Sequence, residues 1–313
     1  MRVLVIGASG AIGVRLVHRL RERGHEVIGT AHSAGKAGQL RALGAEPVAL
    51  DLLDARAARQ VVLDARPEAI IHQATALADA GFSRNLDRTF AQTNRLRTEG
   101  TDTLLAAARE AGVRRFVAQS FAPFRYAREG GPVKTEDDPL DPAPPKTVRQ
   151  GSAAMRHLEE AVTAADGIAL RYGGFYGAAN DGLVPAVRKR QFPIVGDGGG
   201  VMSFIHLDDA ATATVLALEG GRPGVYNITD DEPAPVRDWL PVLADALGAG
   251  PPRHVPHWLA RLIMGDGLVM MTEGRGASNA KAKAEFGWML RYPSWRQGFA
   301  AAYSPREPVR AGA

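Results

Sequence analysis

The sequence predicts an α/β fold, a doubly wound parallel sheet joined to a smaller C-terminal domain, and three observations carry that prediction. Short apolar runs alternate with amphipathic stretches of helical period through the first 175 residues. A glycine-spaced turn follows the first apolar run directly and leads into the first helical stretch. The 313 residues are 45% hydrophobic, enough for a sizeable core, and 23% charged, near the globular average.

The elements follow in order. Val3-Leu4-Val5-Ile6 is an apolar run of strand length, and Ile12 to Arg23 repeats its apolar positions at helical spacing before Gly24 ends it. Glu26–Thr30, Pro47–Leu50, Ala69–His72, Arg115–Gln119 and Ile168–Arg171 read as strands two to six, with a long helix expected from about Leu86 to Ala111. Apolar strands separated by helices belong to a parallel sheet covered on both faces, and right-handed crossovers make double winding the economical topology. The stretch from Ala122 to Lys146 is rich in Pro and Gly and carries Glu136, Asp137 and Asp138, which predicts a long loop. Past residue 175 the pattern becomes irregular. Val225–Ile228 is expected to rejoin the sheet, and Trp239–Leu247 and Trp258–Met264 to be helical. The expected division is 1–175 for the sheet domain, 176–304 mainly for a substrate-binding domain, and 305–313 for a frayed polar tail.

Composition removes several function classes. With no cysteine there is no disulfide, thiolate nucleophile or Cys-type zinc site. His254 and His257 lack a third ligand nearby, so no metal is expected. The net charge of +4, from 38 basic and 34 acidic residues, is spread along the chain, so no nucleic-acid face is expected. No apolar segment reaches the roughly 18 residues that a membrane span needs, and a cytoplasmic protein is the expectation.

The turn itself, Gly7-Ala8-Ser9-Gly10-Ala11-Ile12-Gly13, has G-x-x-G-x-x-G spacing between strand and helix. Glycines let backbone approach a phosphate, and the helix N-terminus that follows favours negative charge. A Rossmann-like dinucleotide site is therefore expected. After strand two the chain reads Thr30-Ala31-His32-Ser33 with Lys36 close behind and no carboxylate, which predicts NADP (NADPH) in preference to NAD.

With these residues on view, the chain resembles the extended short-chain dehydrogenases/reductases, the group that includes nucleotide-sugar epimerases and dehydratases, over nearly its whole length. Asp51-Leu52 resembles the pair that the family sets against the adenine ring, and His72-Gln73-Ala74-Thr75 the H-x-A-A segment beside the cofactor. Asn94 with Gly100-Thr101 resembles the N-x-x-G-T helix at longer spacing. Leu170 to Gly177 resembles L-R-x-x-N-x-Y-G with Gly174 in place of Asn, and Phe204 to Asp209 resembles F-I-H-V-D-D. The resemblance implies a cofactor set of Gly7, Ser9, Gly10, Ala11, Ile12, Gly13, His32, Ser33, Lys36, Asp51, Leu52, Gln73, Ala74, Thr75, Asn94, Ser120 and Tyr172.

The family's chemistry rests on a Ser or Thr after strand five and a Y-x-x-x-K pair, whose Lys lowers the Tyr pKa and grips the ribose. No Y-x-x-x-K occurs in this chain. Aligned on Glu159, the Tyr position holds Gly151 and the Lys position Met155, while Phe121 replaces the hydroxyl with Ser120 one place earlier. The remaining candidate donors are Ser120, Tyr126 and Tyr176. The expectation is an NADPH-dependent ketoreductase of atypical mechanism, acting on a ketone of a secondary metabolite such as an aromatic polyketide, with the proton from substrate or water. The family contains antibiotic-tailoring ketoreductases of this kind. It also contains non-catalytic NADP-binding redox sensors, the rival reading, and nucleotide-sugar epimerases or dehydratases, whose chemistry needs the missing Tyr. A homodimer is the expected assembly.

Overall fold

The computed structural model of the chain describes residues 1–77, 86–178 and 182–304. Alternation inside its first strand decides the architecture. In β1 (Arg2–Ile6), Val3 and Val5 are buried in one apolar cluster and Leu4 and Ile6 in another, so the strand needs a covering layer on each face. The sheet is completed by β2 (Glu26–Ala31), β3 (Glu46–Ala49), β4 (Ala69–His72), β5 (Arg115–Phe121), β6 (Ile168–Tyr172) and β7 (Gly224–Ile228). All pairings are parallel, in the order β3-β2-β1-β4-β5-β6-β7. The order reverses between β1 and β4, and in such sheets ligands bind outside the carboxyl ends of the strands at that point.

The covering helices are α1 (Ala11–Glu22), α2 (Ala34–Ala42), α3 (Ala55–Ala65), α4 (Ala91–Arg95), α5 (Thr101–Glu110), α6 (Arg149–Ala164) and α7 (Leu207–Gly220). Leu16, Val17, Leu40 and Leu218, from α1, α2 and α7, close over Val3 and Val5. Val62, Leu104 and Leu158, from α3, α5 and α6, close over Leu4 and Ile6. After β7 come α8 (Val236–Ala246), α9 (His257–Met264), α10 (Ala280–Phe286) and α11 (Trp295–Tyr303). Trp239, Trp295 and Phe299 from α8 and α11 form a second core with Phe204, Tyr176 and Met271. Two short parallel pairings join it to the rest: Gly174–Tyr176 with Phe204–His206, and Val133–Lys134 with Gly276–Ala277.

Three expectations differ from what is observed. The long helix from Leu86 to Ala111 is broken into Leu86–Thr89, α4, a π-helical turn at Leu96–Gly100, and α5. At the π turn Gly100 lies against Leu52, where a Cβ would stand 3.0 Å from the Leu52 Cδ2 atom. Turns of this kind concentrate at functional sites. β5 runs two residues beyond Gln119, through Phe121. The stretch from Ala122 to Lys146 is not loop throughout, because Val133–Lys134 finds a strand partner and Tyr126 bridges Leu140. The tail expected over 305–313 lies outside the described residues. Among the described residues no helix is long and apolar enough to cross a membrane.

The turn between β1 and α1 depends on close backbone approach. Gly7 has φ of 84°, in the left-handed region, and a Cβ on Gly13 would stand 2.2 Å from the Gly7 carbonyl oxygen. Gly13→Ala is therefore expected to lower the thermal midpoint and to abolish the rise in that midpoint on adding dinucleotide. An unchanged dinucleotide shift would show that the turn does not hold the ligand.

Candidate active site

The helix N-terminus at α1 is left without a side-chain cap. Gly10 is its N-cap, and Gly10 and Ala11 are exposed. Gly7 donates its N–H to Thr30 Oγ1 at 2.8 Å, which fastens the turn to β2. A Cβ on Gly7 would stand 2.8 Å from the Gln73 backbone, so the turn is also pressed onto the end of β4. The bare N–H groups beside Gly10 suit a pyrophosphate, and Ser9 is half-buried within the same turn. Ile12 is buried in the core beneath the turn, and Gly13 is buried where its backbone lies close against Gly7 and Ala8.

At the adenosine end, His32, Ser33 and Lys36 are all exposed at the start of α2. Ser33 is the N-cap of that helix, and its Oγ accepts from the Lys36 N–H at 3.4 Å. Asp51 is exposed and accepts the Leu53 N–H at 3.0 Å, while Leu52 is buried beneath the π turn. Ala74 and Thr75 are half-buried beyond β4. Gln73 is buried: its Nε2 donates to the Tyr172 hydroxyl at 3.1 Å, and its Oε1 has no partner among the described residues. Tyr172 itself is fully buried, also hydrogen-bonded to Thr214 at 2.6 Å, and burial pushes its phenol up to about 12. Tyr172, which the sequence assigns to cofactor, is thus buried and engaged by Gln73 and Thr214.

The candidate donors do not converge on one point. Ser120 is fully buried, and its hydroxyl donates to Glu159 Oε1 at 2.6 Å. Tyr126 donates to Asn227 Oδ1 at 2.6 Å and accepts from Arg171 Nη1 at 3.1 Å. Both belong to one buried network whose centre is Glu159. Arg171 donates to the two Glu159 oxygens at 2.9 and 2.8 Å, and Arg125 donates to them at 3.2 and 3.1 Å. Burial alone would raise the Glu159 carboxyl, but Arg125 and Arg171, with the Ser120 hydroxyl, hold it below the usual range. Tyr176 lies elsewhere, in the second core, edge-on to Phe299 at 5.1 Å and to His206 at 5.2 Å. Its hydroxyl has no partner among the described residues, and burial followed by the charge of Asp230 drives its phenol far above the ordinary value.

The positions that the resemblance gives to the Tyr and Lys, Gly151 and Met155, lie one turn apart on the buried face of α6. Asp87 accepts the N–H groups of Gln150 and Gly151, each at 2.9 Å, and so caps α6 from outside its own chain segment. A Cβ on Gly151 would stand 3.7 Å from both Asp87 Oδ1 and Asn94 Oδ1. Asn94 is only 9% exposed, yet among the described residues neither of its amide atoms has a partner. Buried polar groups are nearly always satisfied, so this amide stands out beside Gly151.

Sequence reasoning missed Asp87, Arg97 and the roles of Arg125 and Arg171. Arg97 carried a legible signal: counting three residues back from Gly100, as N-x-x-G-T spacing requires, reaches Arg97 and not Asn94. Asp87 carried none, since its partner is 64 residues away.

Comparison with known proteins agrees with this fold. Residues 3–229 match the NAD dependent epimerase/dehydratase family, and the chain belongs to that family. It is a nicotinamide-dependent oxidoreductase with a Rossmann-like fold. Among curated proteins it is 44% identical over 311 residues to a 3-diazoavenalumate denitrifying reductase of a Streptomyces species, covering 95% of this chain and 99% of that one. It is 31% identical over 264 residues to a 2-alkyl-3-oxoalkanoate reductase of Stenotrophomonas maltophilia, covering 80% and 76%. The UDP-glucose 4-epimerase of Thermotoga maritima shares the fold, with a TM-score of 0.76 at 23% identity over 97% of each chain.

Glu159→Gln is expected to destabilise the fold by about 3–5 kcal/mol, because it leaves two buried guanidinium groups without their counter-charge. Since the folded carboxyl titrates below its unfolded value, the stabilisation is full above roughly pH 4.3 and is lost as pH falls through the folded pKa. Urea titrations at pH 7 and at pH 3 test both points: the gap between parent and variant should shrink in acid.

Proposed function

We propose that the chain is an NADPH-dependent reductase that passes hydride to a small-molecule acceptor with no proton donor from the protein. The observation that carries this reading is the buried face of α6, where Gly151 and Met155 bear no dissociable proton. The neighbouring hydroxyls of Ser120 and Tyr126 are already engaged with Glu159 and Asn227. When bound, the dinucleotide would supply the hydride. The N-terminus of α1 would hold its pyrophosphate, and Gln73, Ala74, Thr75 and Asn94 would line its path along the strand ends. His32, Ser33 and Lys36, with no carboxylate after β2, support a preference for the 2′-phosphate. Residues 176–304 would supply most of the substrate side.

Two acceptor classes fit a site without an acid. The first is an aryl diazo group. An aryldiazonium ion and hydride combine to arene and dinitrogen: the new bond to hydrogen takes the hydride pair, the C–N bond breaks, and charge balances with no proton added. The Streptomyces relative is named as a denitrifying reductase of a diazo compound, which supports this class. The second is a ketone, whose reduction adds a proton as well as hydride. Losing the protein acid would cost such a reaction about 10²–10⁴-fold, unless a hydroxyl beside the ketone or a water supplies the proton. The Stenotrophomonas relative, named for a 3-oxo substrate, supports that class. The diazo acceptor is favoured because it explains why the pair is missing. A small secondary metabolite is the natural substrate in either case, and a dimer is a compatible assembly.

The test is NADPH consumption against an aryldiazonium acid and a panel of hydroxylated aromatic ketones, with dinitrogen measured in the headspace. One dinitrogen per NADPH, and deuterium from 4-deuterated NADPH on the arene, is the expected result. Turnover with ketones alone would move the assignment to the second class. Tight NADPH binding with no turnover of any acceptor would overturn the reading in favour of a redox sensor.

A further inference from the structure

We infer that Arg97 holds the nicotinamide-side ribose of the dinucleotide, replacing from the neighbouring helix the cation that α6 lacks at Met155. The inference rests on the dinucleotide reading above and names a further residue for that site.

Register places Arg97 there. The segment α4–α5 links β4 to β5 and α6 links β5 to β6, so in a parallel sheet both run back from the carboxyl edge in the same direction. Asn94 stands level with Gly151, its Oδ1 3.7 Å from where a Cβ would be. Three residues further along each helix, Arg97 comes level with Ala154 and Met155. The π turn at Leu96–Gly100 is the local irregularity that carries Arg97. The same turn touches the end of β4, where His72 Nε2 lies 3.3 Å from the Leu96 carbonyl oxygen.

Charge gives Arg97 a reason to seek a ligand. It is 7% exposed, its Nε is buried without a partner, and it forms no hydrogen bond or ion pair among the described residues. Buried cations are ordinarily paired. The carboxylate in its neighbourhood, Glu159, already has both oxygens taken by Arg125 and Arg171. Burial, together with the charge of Arg125, lowers the Arg97 guanidinium to about 10 against a partial offset from Glu159, so it stays charged at neutral pH. The cluster therefore holds three guanidinium groups against one carboxylate. A cation kept in such a place without a partner is costly to the fold, and hydroxyl and phosphate oxygens of a dinucleotide are the acceptors that it lacks. Unpartnered Gln73 Oε1 and the Asn94 amide lie along the same strand end and helix face.

The test is calorimetric binding of two probes, NADPH and 2′,5′-ADP, to the parent protein, Arg97→Met and Arg97→Lys. The second probe carries the adenosine half and no nicotinamide ribose. The expected result is a loss of about 10- to 100-fold in NADPH affinity for Arg97→Met, unchanged 2′,5′-ADP affinity, and substantial recovery in Arg97→Lys. The ligand-free thermal midpoint of Arg97→Met should not fall, since an unpaired buried charge has been replaced by an apolar chain. Equal losses on both probes, or no loss on either, would overturn the assignment. If the parent protein binds 2′,5′-ADP but gains nothing from the nicotinamide half, Arg97 has no ribose to hold and the inference fails. If it binds neither probe, the dinucleotide reading itself fails with it.

Discussion

The buried Glu159 carboxylate is the interaction on which the geometry of this cleft depends. It sits on α6 and is held by Arg171 from β6, by Arg125 from the segment after β5, and by the Ser120 hydroxyl from β5 itself. Arg171 extends the contact to Tyr126, and Tyr126 to Asn227 on β7. One carboxylate thus ties a helix to three adjacent strands. Its desolvation is tolerable only because both oxygens are filled by guanidinium groups in good geometry. The consequence is positional: α6 is held in rotation, with Gly151, Met155 and Glu159 on one buried face.

No Y-x-x-x-K pair occurs in this chain, and Gly151 and Met155 on that face carry no dissociable proton, while the proposed dinucleotide turn keeps Gly7, Gly10 and Gly13. The combination separates two tasks that a Tyr-Lys pair performs together, holding the ribose and donating a proton. A reductase whose acceptor needs no added proton can dispense with the second task and keep the first. Among the described residues, the Asn94 amide and Arg97 Nε beside that face are left without partners.

The fold was legible because its signals are local. The strand runs from Val3 to Ile6 and Ala69 to His72, and the turn from Gly7 to Gly13, each declare themselves within a few residues. The break in the helix between Leu86 and Ala111 was not legible, since a π turn leaves the apolar spacing nearly helical while one residue is added. In the candidate site the missing pair could be read directly, because absence of a motif is itself a sequence fact. The fates of Ser120 and Tyr126 could not, since their partners Glu159 and Asn227 lie 39 and 101 residues away. Nor could the proposed acceptor class, which no residue pattern encodes.

The central claim, that no protein group is titrated during turnover, is tested most directly by the pH dependence of kcat with the preferred acceptor. The account predicts a flat profile from about pH 6 to 9, outside which the cofactor and fold begin to fail, and a new limb in the Gly151→Tyr/Met155→Lys variant. A limb in the parent protein that disappears on replacing Ser120 or Tyr126 would contradict it, and would return a protein acid to the mechanism.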